Sequence, residues 1–108
     1  MKEFKNLSLC DYRDDRIWIN VRVSLLDGSL ELSGHDLGKS VEEFWGDDDY
    51  EYWYRLSAGA TQQLLHTIGG TNDPEKALRR EFSGPDGCRK LRALCDAHGI
   101  RYEFFSYV

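Results

Sequence analysis

The sequence predicts an α+β domain: a largely antiparallel sheet of about five strands, starting with an N-terminal meander or hairpin, with three to four helices on one face. Apolar residues alternate early in the chain, helical spacing dominates the later part, and the last residues alternate again. Strands that gather early and helices that gather late are typical of the α+β class. At 108 residues, the chain (1–108) is expected to form a single domain.

The clearest strand lies at residues 17–25, where apolar and polar residues alternate. Asp27-Gly28 follows it, a dipeptide that tolerates the positive φ angles of a type I′ hairpin turn. A two-residue loop there pairs Leu25 with Leu30, so apolar residues meet on one face of the hairpin.

An earlier strand is predicted around Leu7 and Leu9, with residues 11–15 as the turn that follows. A loop of odd length would place both leucines on the same face of the sheet as Val21. The strand would therefore extend the hairpin into a meander.

A helix is predicted after Gly34, where the spacing of apolar residues changes from two to the helical period. We expect Asp36 to cap its N-terminus and Gly46 to end it. Its apolar face is formed by Leu37, Val41, Phe44 and Trp45.

Residues 50–57 alternate again and predict a fourth strand, with Tyr50, Tyr52, Tyr54 and Leu56 on one side. Three further helices are then predicted from their starting signals, which are Ser57, Asp73-Pro74 and Gly84-Pro85-Asp86. A last alternating strand covers residues 100–108.

Composition favours a cytoplasmic protein, and the sequence has neither a Walker loop nor a GxGxxG motif, so no cofactor is predicted. The formal net charge of −5 argues against nucleic-acid or anionic-membrane binding, since both require a basic surface. We expect neither a signal peptide nor a membrane span, because no apolar run has the length that either requires. The three cysteines contain no CxxC pair and are expected to be free thiols.

The stretch EEFWGDDDYEYWYRL, residues 42–56, brings carboxylates and aromatic rings together in a short segment. A solvated acidic loop after a helix end is its simplest interpretation. The functional interpretation is a docking surface for a basic protein, in which carboxylates steer the partner and rings anchor it. A divalent-cation site is the least supported alternative, because the spacing of an EF-hand loop is absent. The predicted partner-binding residues are Glu42, Glu43, Asp47, Asp48, Asp49 and Glu51.

Cys95 and His98 lie on one face of the last predicted helix. Their spacing fits one pair of zinc ligands, which is half of a four-ligand site. A second ligand pair is missing, so no metal site is predicted. We expect both side chains to pack in or near the core, and we assign no catalytic residue.

Four large rings lie opposite the aliphatic side of the predicted strands, accompanied by arginines. This composition is typical of an interface with a second copy of the chain or with another protein. Cross-strand pairing that stiffens the sheet and a groove for an aromatic ligand are the alternatives. The predicted interface residues are Trp18, Arg22, Trp53, Arg55, Phe105 and Tyr107.

Several segments together resemble a family of small, uncharacterised bacterial proteins. They are DLG at 36–38, EEFWG at 42–46, YEY at 50–52 and HGIRYEF at 98–104. The resemblance implies a small α+β fold and a bacterial source, and it supplies no catalytic residue.

The function predicted is that of a small, acidic, non-enzymatic bacterial interaction protein, with an inhibitor or immunity protein against a basic partner as its specific form. Two alternatives stay open. One is a small enzyme or ligand-binding domain with a cleft near Cys95 and His98, and the other is a structural homodimer.

Overall fold

Five antiparallel strands form one sheet in which strands that follow each other in the chain are also neighbours in space. The computed structural model describes residues 3–46 and 49–107, apart from the side chains of Ser40, Phe44 and Trp45. The predicted α+β class and the antiparallel sheet are confirmed. The elements are β1 (Phe4–Arg13), β2 (Trp18–Leu26), β3 (Ser29–Leu37), α1 (Lys39–Trp45), β4 (Asp49–Leu56), α2 (Ala58–Thr67), α3 (Pro74–Phe82), α4 (Gly87–His98) and β5 (Glu103–Tyr107).

The hairpin of β2 and β3 has the predicted register. Leu25 lies opposite Leu30. Asp27 and Gly28 have φ angles of 53° and 78°, so both turn residues adopt the left-handed conformation that a type I′ turn requires. Local turn preference and the alternation of apolar residues therefore agree, and together they determine the pairing.

β1 is longer than predicted, and the predicted turn at residues 11–15 was wrong. The strand continues to Arg13, and the turn follows at Asp14, whose Oδ1 accepts hydrogen bonds from the backbone N–H groups of Arg16 (2.8 Å) and Ile17 (2.9 Å). A register shift between Ser8 and Cys10 interrupts the alternation. Such bulges insert a residue that strict period-two counting cannot anticipate.

β3 also runs further than predicted, because it continues to Leu37 in the pairing with β2 and β4. Asp36 is therefore a strand residue opposite Tyr50, and its predicted role as a helix cap was wrong. Gly38 occupies the N-cap position of α1 instead. The predicted end of this helix is confirmed, since Gly46 has a φ of 79° and its N–H bonds to the carbonyl of Glu42.

Helices α2, α3 and α4 cover one face of the sheet and form the core with it. Ser57 and Asp73 cap α2 and α3 as predicted, by accepting backbone hydrogen bonds from Ala60 and Lys76. The largest fully buried side chains come from both layers: Val21, Val23, Leu25, Leu30, Leu32 and Leu56 from the strands, and Thr61, Leu64, Leu65, Leu78, Phe82 and Leu91 from the helices. Among residues 3–46 and 49–107, no helix has the length and apolar character needed to cross a membrane.

Candidate functional site on the open sheet face

The face of the sheet opposite the helices carries polar and aromatic side chains, and we call it the open face. Directly opposed residues of antiparallel strands point to the same side of a sheet, so the strand register identifies its members. Its polar and aromatic members are Ser8, Asp11, Arg13, Trp18, Asn20, Arg22, Ser24, Ser29, Glu31, Ser33, His35, Asp49, Glu51, Trp53, Arg55, Glu103, Phe105 and Tyr107, and Leu26 and Leu37 lie on the same face.

Three of the four predicted rings form one aromatic cluster at the β4–β5 side of the open face. Trp53 lies opposite Phe105, and Glu51 lies opposite Tyr107. Phe105 is 42% exposed and Tyr107 is 71% exposed, so these rings remain accessible to a partner. The guanidinium of Arg55 lies over the ring of Phe105, 5.1 Å from its centroid. We call Trp53, Phe105 and Tyr107 the aromatic cluster.

Trp18 lies apart from the aromatic cluster, on the far side of β3. Its Nε1 donates a hydrogen bond of 2.6 Å to Asp11, and the guanidinium of Arg13 lies 4.1 Å from the centroid of its ring. A polar cleft of about 430 Å³, lined by both Trp18 and Trp53, lies on this part of the open face. The cleft therefore connects Trp18 and Arg22 with Trp53, which belongs to the aromatic cluster.

The acidic stretch is divided as well. Glu42 and Glu43 are exposed on α1, where Glu43 forms an ion pair with Arg16. Asp49 and Glu51 belong to β4 and lie on the open face beside the aromatic cluster. The predicted residues Asp47 and Asp48 lie outside the described residues.

His35 is a residue of this site that sequence analysis missed. Its Nε2 forms a hydrogen bond of 2.5 Å with Asp49 Oδ1 and lies 3.7 Å from Glu51 Oε1. No cysteine lies near His35 in the sequence, so cysteine–histidine spacing gives no sign of this site. The signal that could have revealed this residue is the register of the β2–β3 hairpin, which places His35 on the same face as Ser33.

The predicted burial of Cys95 and His98 was correct only for the thiol. Cys95 is fully buried in the core, and this burial raises its pKa to about 11. His98 is exposed at the C-terminal end of α4. The two side chains therefore lie in different environments, and neither lines the clefts described in this subsection.

A second cleft, of about 310 Å³, lies between β4 and α4 on the helical side of the sheet. Its half-buried carboxylate, Asp36, accepts a long hydrogen bond of 3.4 Å from the hydroxyl of Tyr52. Burial raises the pKa of Asp36, and the same effect raises the pKa of Cys88 to about 12. The lining residues are Asp36, Tyr50, Tyr52, Tyr54, Pro85, Cys88, Arg89, Arg92 and Phe104.

Comparison with known proteins gives no relative for this chain. No family model, curated protein or solved structure matches it. The resemblance to the bacterial family therefore stays a prediction, and the chemistry of the open face is the basis on which a function can be argued.

Proposed function

We propose that this is a non-enzymatic interaction protein of the bacterial cytoplasm that binds a basic partner protein through its open face, as an inhibitor or immunity protein would. The observation that carries the proposal is the pairing of Glu51 with Tyr107 beside the pairing of Trp53 with Phe105. It brings exposed rings and carboxylates into one contiguous surface.

The charge of this surface favours a basic partner. Arg55 is paired with Glu31 at 2.6 Å, and Arg13 is paired with Asp11 at 3.7 Å, so two of the open-face cations are already neutralised. Asp49 and Glu51 lie next to the aromatic cluster and share a single histidine. Since the whole chain carries a net charge of −5, the long-range field also attracts a cationic protein.

The aromatic cluster supplies the type of contact that holds a complex together. Rings dominate the binding energy of many interfaces, because they bury large areas with little loss of side-chain freedom. Nearby carboxylates mainly accelerate association and select the charge of the partner. The three buried cysteines agree with a reducing compartment.

Affinity capture from an extract of the source organism tests the proposal. Wild-type protein should retain a protein of high isoelectric point, and Trp53→Ser should lose it. Glu75→Gln, on α3 at the helical side, is the matched control and should retain it. Equal capture by the wild type and both variants would contradict binding through the open face.

A second candidate function is the binding of a small molecule in the cleft between β4 and α4. It is favoured by the half-buried Asp36 and by Arg89 and Arg92, which combine charged groups with aromatic walls. Neither Cys95 nor His98, near which a cleft was expected, lines it. Quenching of intrinsic fluorescence by small aromatic acids, and its loss in Arg92→Gln, would support this function.

A further inference from the structure

Three potential metal ligands converge at one edge of the polar cleft on the open face. They are Nε2 of His35 and one carboxylate oxygen each from Asp49 and Glu51, and all three atoms lie within 4.8 Å of one another. The pairing of β3 with β4 produces this arrangement, because His35 lies directly opposite Glu51 and Asp49 is the next residue of β4 on the same face.

We infer that His35, Asp49 and Glu51 form a binding site for a divalent first-row transition metal ion such as Zn²⁺. The types of ligand determine which ion we propose. Imidazole nitrogen suits zinc and its neighbours, whereas Ca²⁺ and Mg²⁺ prefer oxygen ligands alone. Two carboxylates and one neutral imidazole would balance the charge of the ion.

One of the observed distances is close to that which the ion requires, and a second needs a small adjustment. Ligands about 2.1 Å from a tetrahedral zinc ion lie roughly 3.4 Å from one another. The 3.7 Å between His35 Nε2 and Glu51 Oε1 is near this value. The 2.5 Å between His35 and Asp49 is a hydrogen bond, so the ion would take the place of its proton and the two groups would separate by about 1 Å.

The three side chains have room for this adjustment. Their side chains are 38% (His35), 48% (Asp49) and 37% (Glu51) exposed, so a small rotation displaces no core residue. Three protein ligands leave at least one coordination position open for water or a further donor atom. His35, Glu51 and Arg22 all line the polar cleft, so an anionic donor in this cleft would meet both the ion and a guanidinium.

Calorimetric titration of the purified protein with ZnCl₂ tests the site. Wild-type protein should bind one ion per chain with saturation, and His35→Asn and Glu51→Gln should each weaken binding at least about tenfold. Glu103→Gln, which removes another open-face carboxylate, should bind like wild type. Circular dichroism melts show that each variant is folded. The inference is overturned if zinc does not saturate a site, or if His35→Asn binds as tightly as wild type.

Two further measurements exclude other origins of a zinc signal. Bound Co²⁺ should give visible d–d bands without the near-ultraviolet charge-transfer band of thiolate ligation, since the cysteines are buried. A thiolate band would overturn the assignment. CaCl₂ should bind much more weakly than ZnCl₂. If the two ions bind with equal affinity and His35→Asn leaves that affinity unchanged, the site is an unselective acidic patch and the inference is overturned. These titrations need no partner protein, so their failure and that of the proposed function are distinguishable.

Discussion

The ring of Tyr52 occupies the space that a side chain at Gly34 would need. The two residues lie directly opposite each other on β3 and β4. A Cβ atom at Gly34 would come within 2.1 Å of Tyr52 Cζ. From this position the hydroxyl of Tyr52 reaches Asp36, 3.4 Å away on the same face of β3. The glycine thus allows an aromatic side chain to cross the strand.

Gly34→Ala should therefore destabilise the fold by about 1–3 kcal/mol, the usual cost of inserting a methyl group into a packed region. Chemical denaturation measures the change in the free energy of unfolding. In a Tyr52→Ala background the same substitution should cost much less, because the clashing ring is gone. An equal cost in both backgrounds would show that the ring is not the cause.

Thr61 should be sensitive to loss of its hydroxyl. This fully buried side chain accepts a hydrogen bond of 3.0 Å from the N–H of Leu30 and donates one of 3.4 Å to the carbonyl of Leu56. Thr61→Val leaves the buried N–H unsatisfied and should cost about 1–3 kcal/mol of unfolding free energy. Thr61→Ser keeps the hydroxyl and should cost less. A valine variant as stable as wild type would contradict this role.

Asp36→Asn should stabilise the protein at neutral pH. Burial raises the pKa of Asp36, and this effect outweighs the opposing effects of the Tyr52 hydroxyl and of His35. The folded state therefore binds the proton more tightly than the unfolded state. The contribution of this proton to the free energy of unfolding is complete below the ordinary aspartate pKa of about 3.9. It is lost as the pH rises through the raised pKa of the folded state.

Thermal melts at several pH values measure this effect. The melting temperature of Asp36→Asn should exceed that of wild type at pH 7.5, and the difference should shrink as the pH approaches about 4. A difference that stays constant with pH would mean that ionisation of Asp36 is not involved.

Self-association through the open face should be weak. A second copy would place the carboxylates of Asp49 and Glu51, which share a single histidine, against the same carboxylates across a two-fold axis, whereas a basic partner would complement them. Sedimentation velocity at micromolar concentration should show a monomer. A dimer that Trp53→Glu dissociates would instead assign this face to a second copy of the chain.

Local signals predicted most of the fold correctly. The Asp27-Gly28 turn and the caps at Ser57 and Asp73 act over a few residues, so the sequence specifies them directly. The errors at β1 and Asp36 have a different origin. β1 continues to Arg13 because it stays paired with β2 beyond the register shift near Cys10, and β3 continues because it pairs with both neighbours. Neither effect depends on local preference.

The site was predictable only in part. Period-two counting placed Trp53 and Phe105 on the open face, as the register shows. Counting along single strands cannot give the order of the strands, so it left open whether the four rings are contiguous; the register places Trp18 across β3 from Trp53. For the same reason His35 was missed, since only pairing between β3 and β4 brings it to Glu51.

Binding kinetics with the captured basic partner test the central claim most directly. Surface plasmon resonance should show that Asp49→Asn combined with Glu51→Gln slows association, and that added salt slows wild type similarly, because exposed charges act on the on-rate. Trp53→Ser should instead accelerate dissociation by about tenfold or more, as expected for an anchoring ring. Glu75→Gln should change neither rate. Association and dissociation rates that are the same in every variant and at every salt concentration would contradict binding of the partner through the open face.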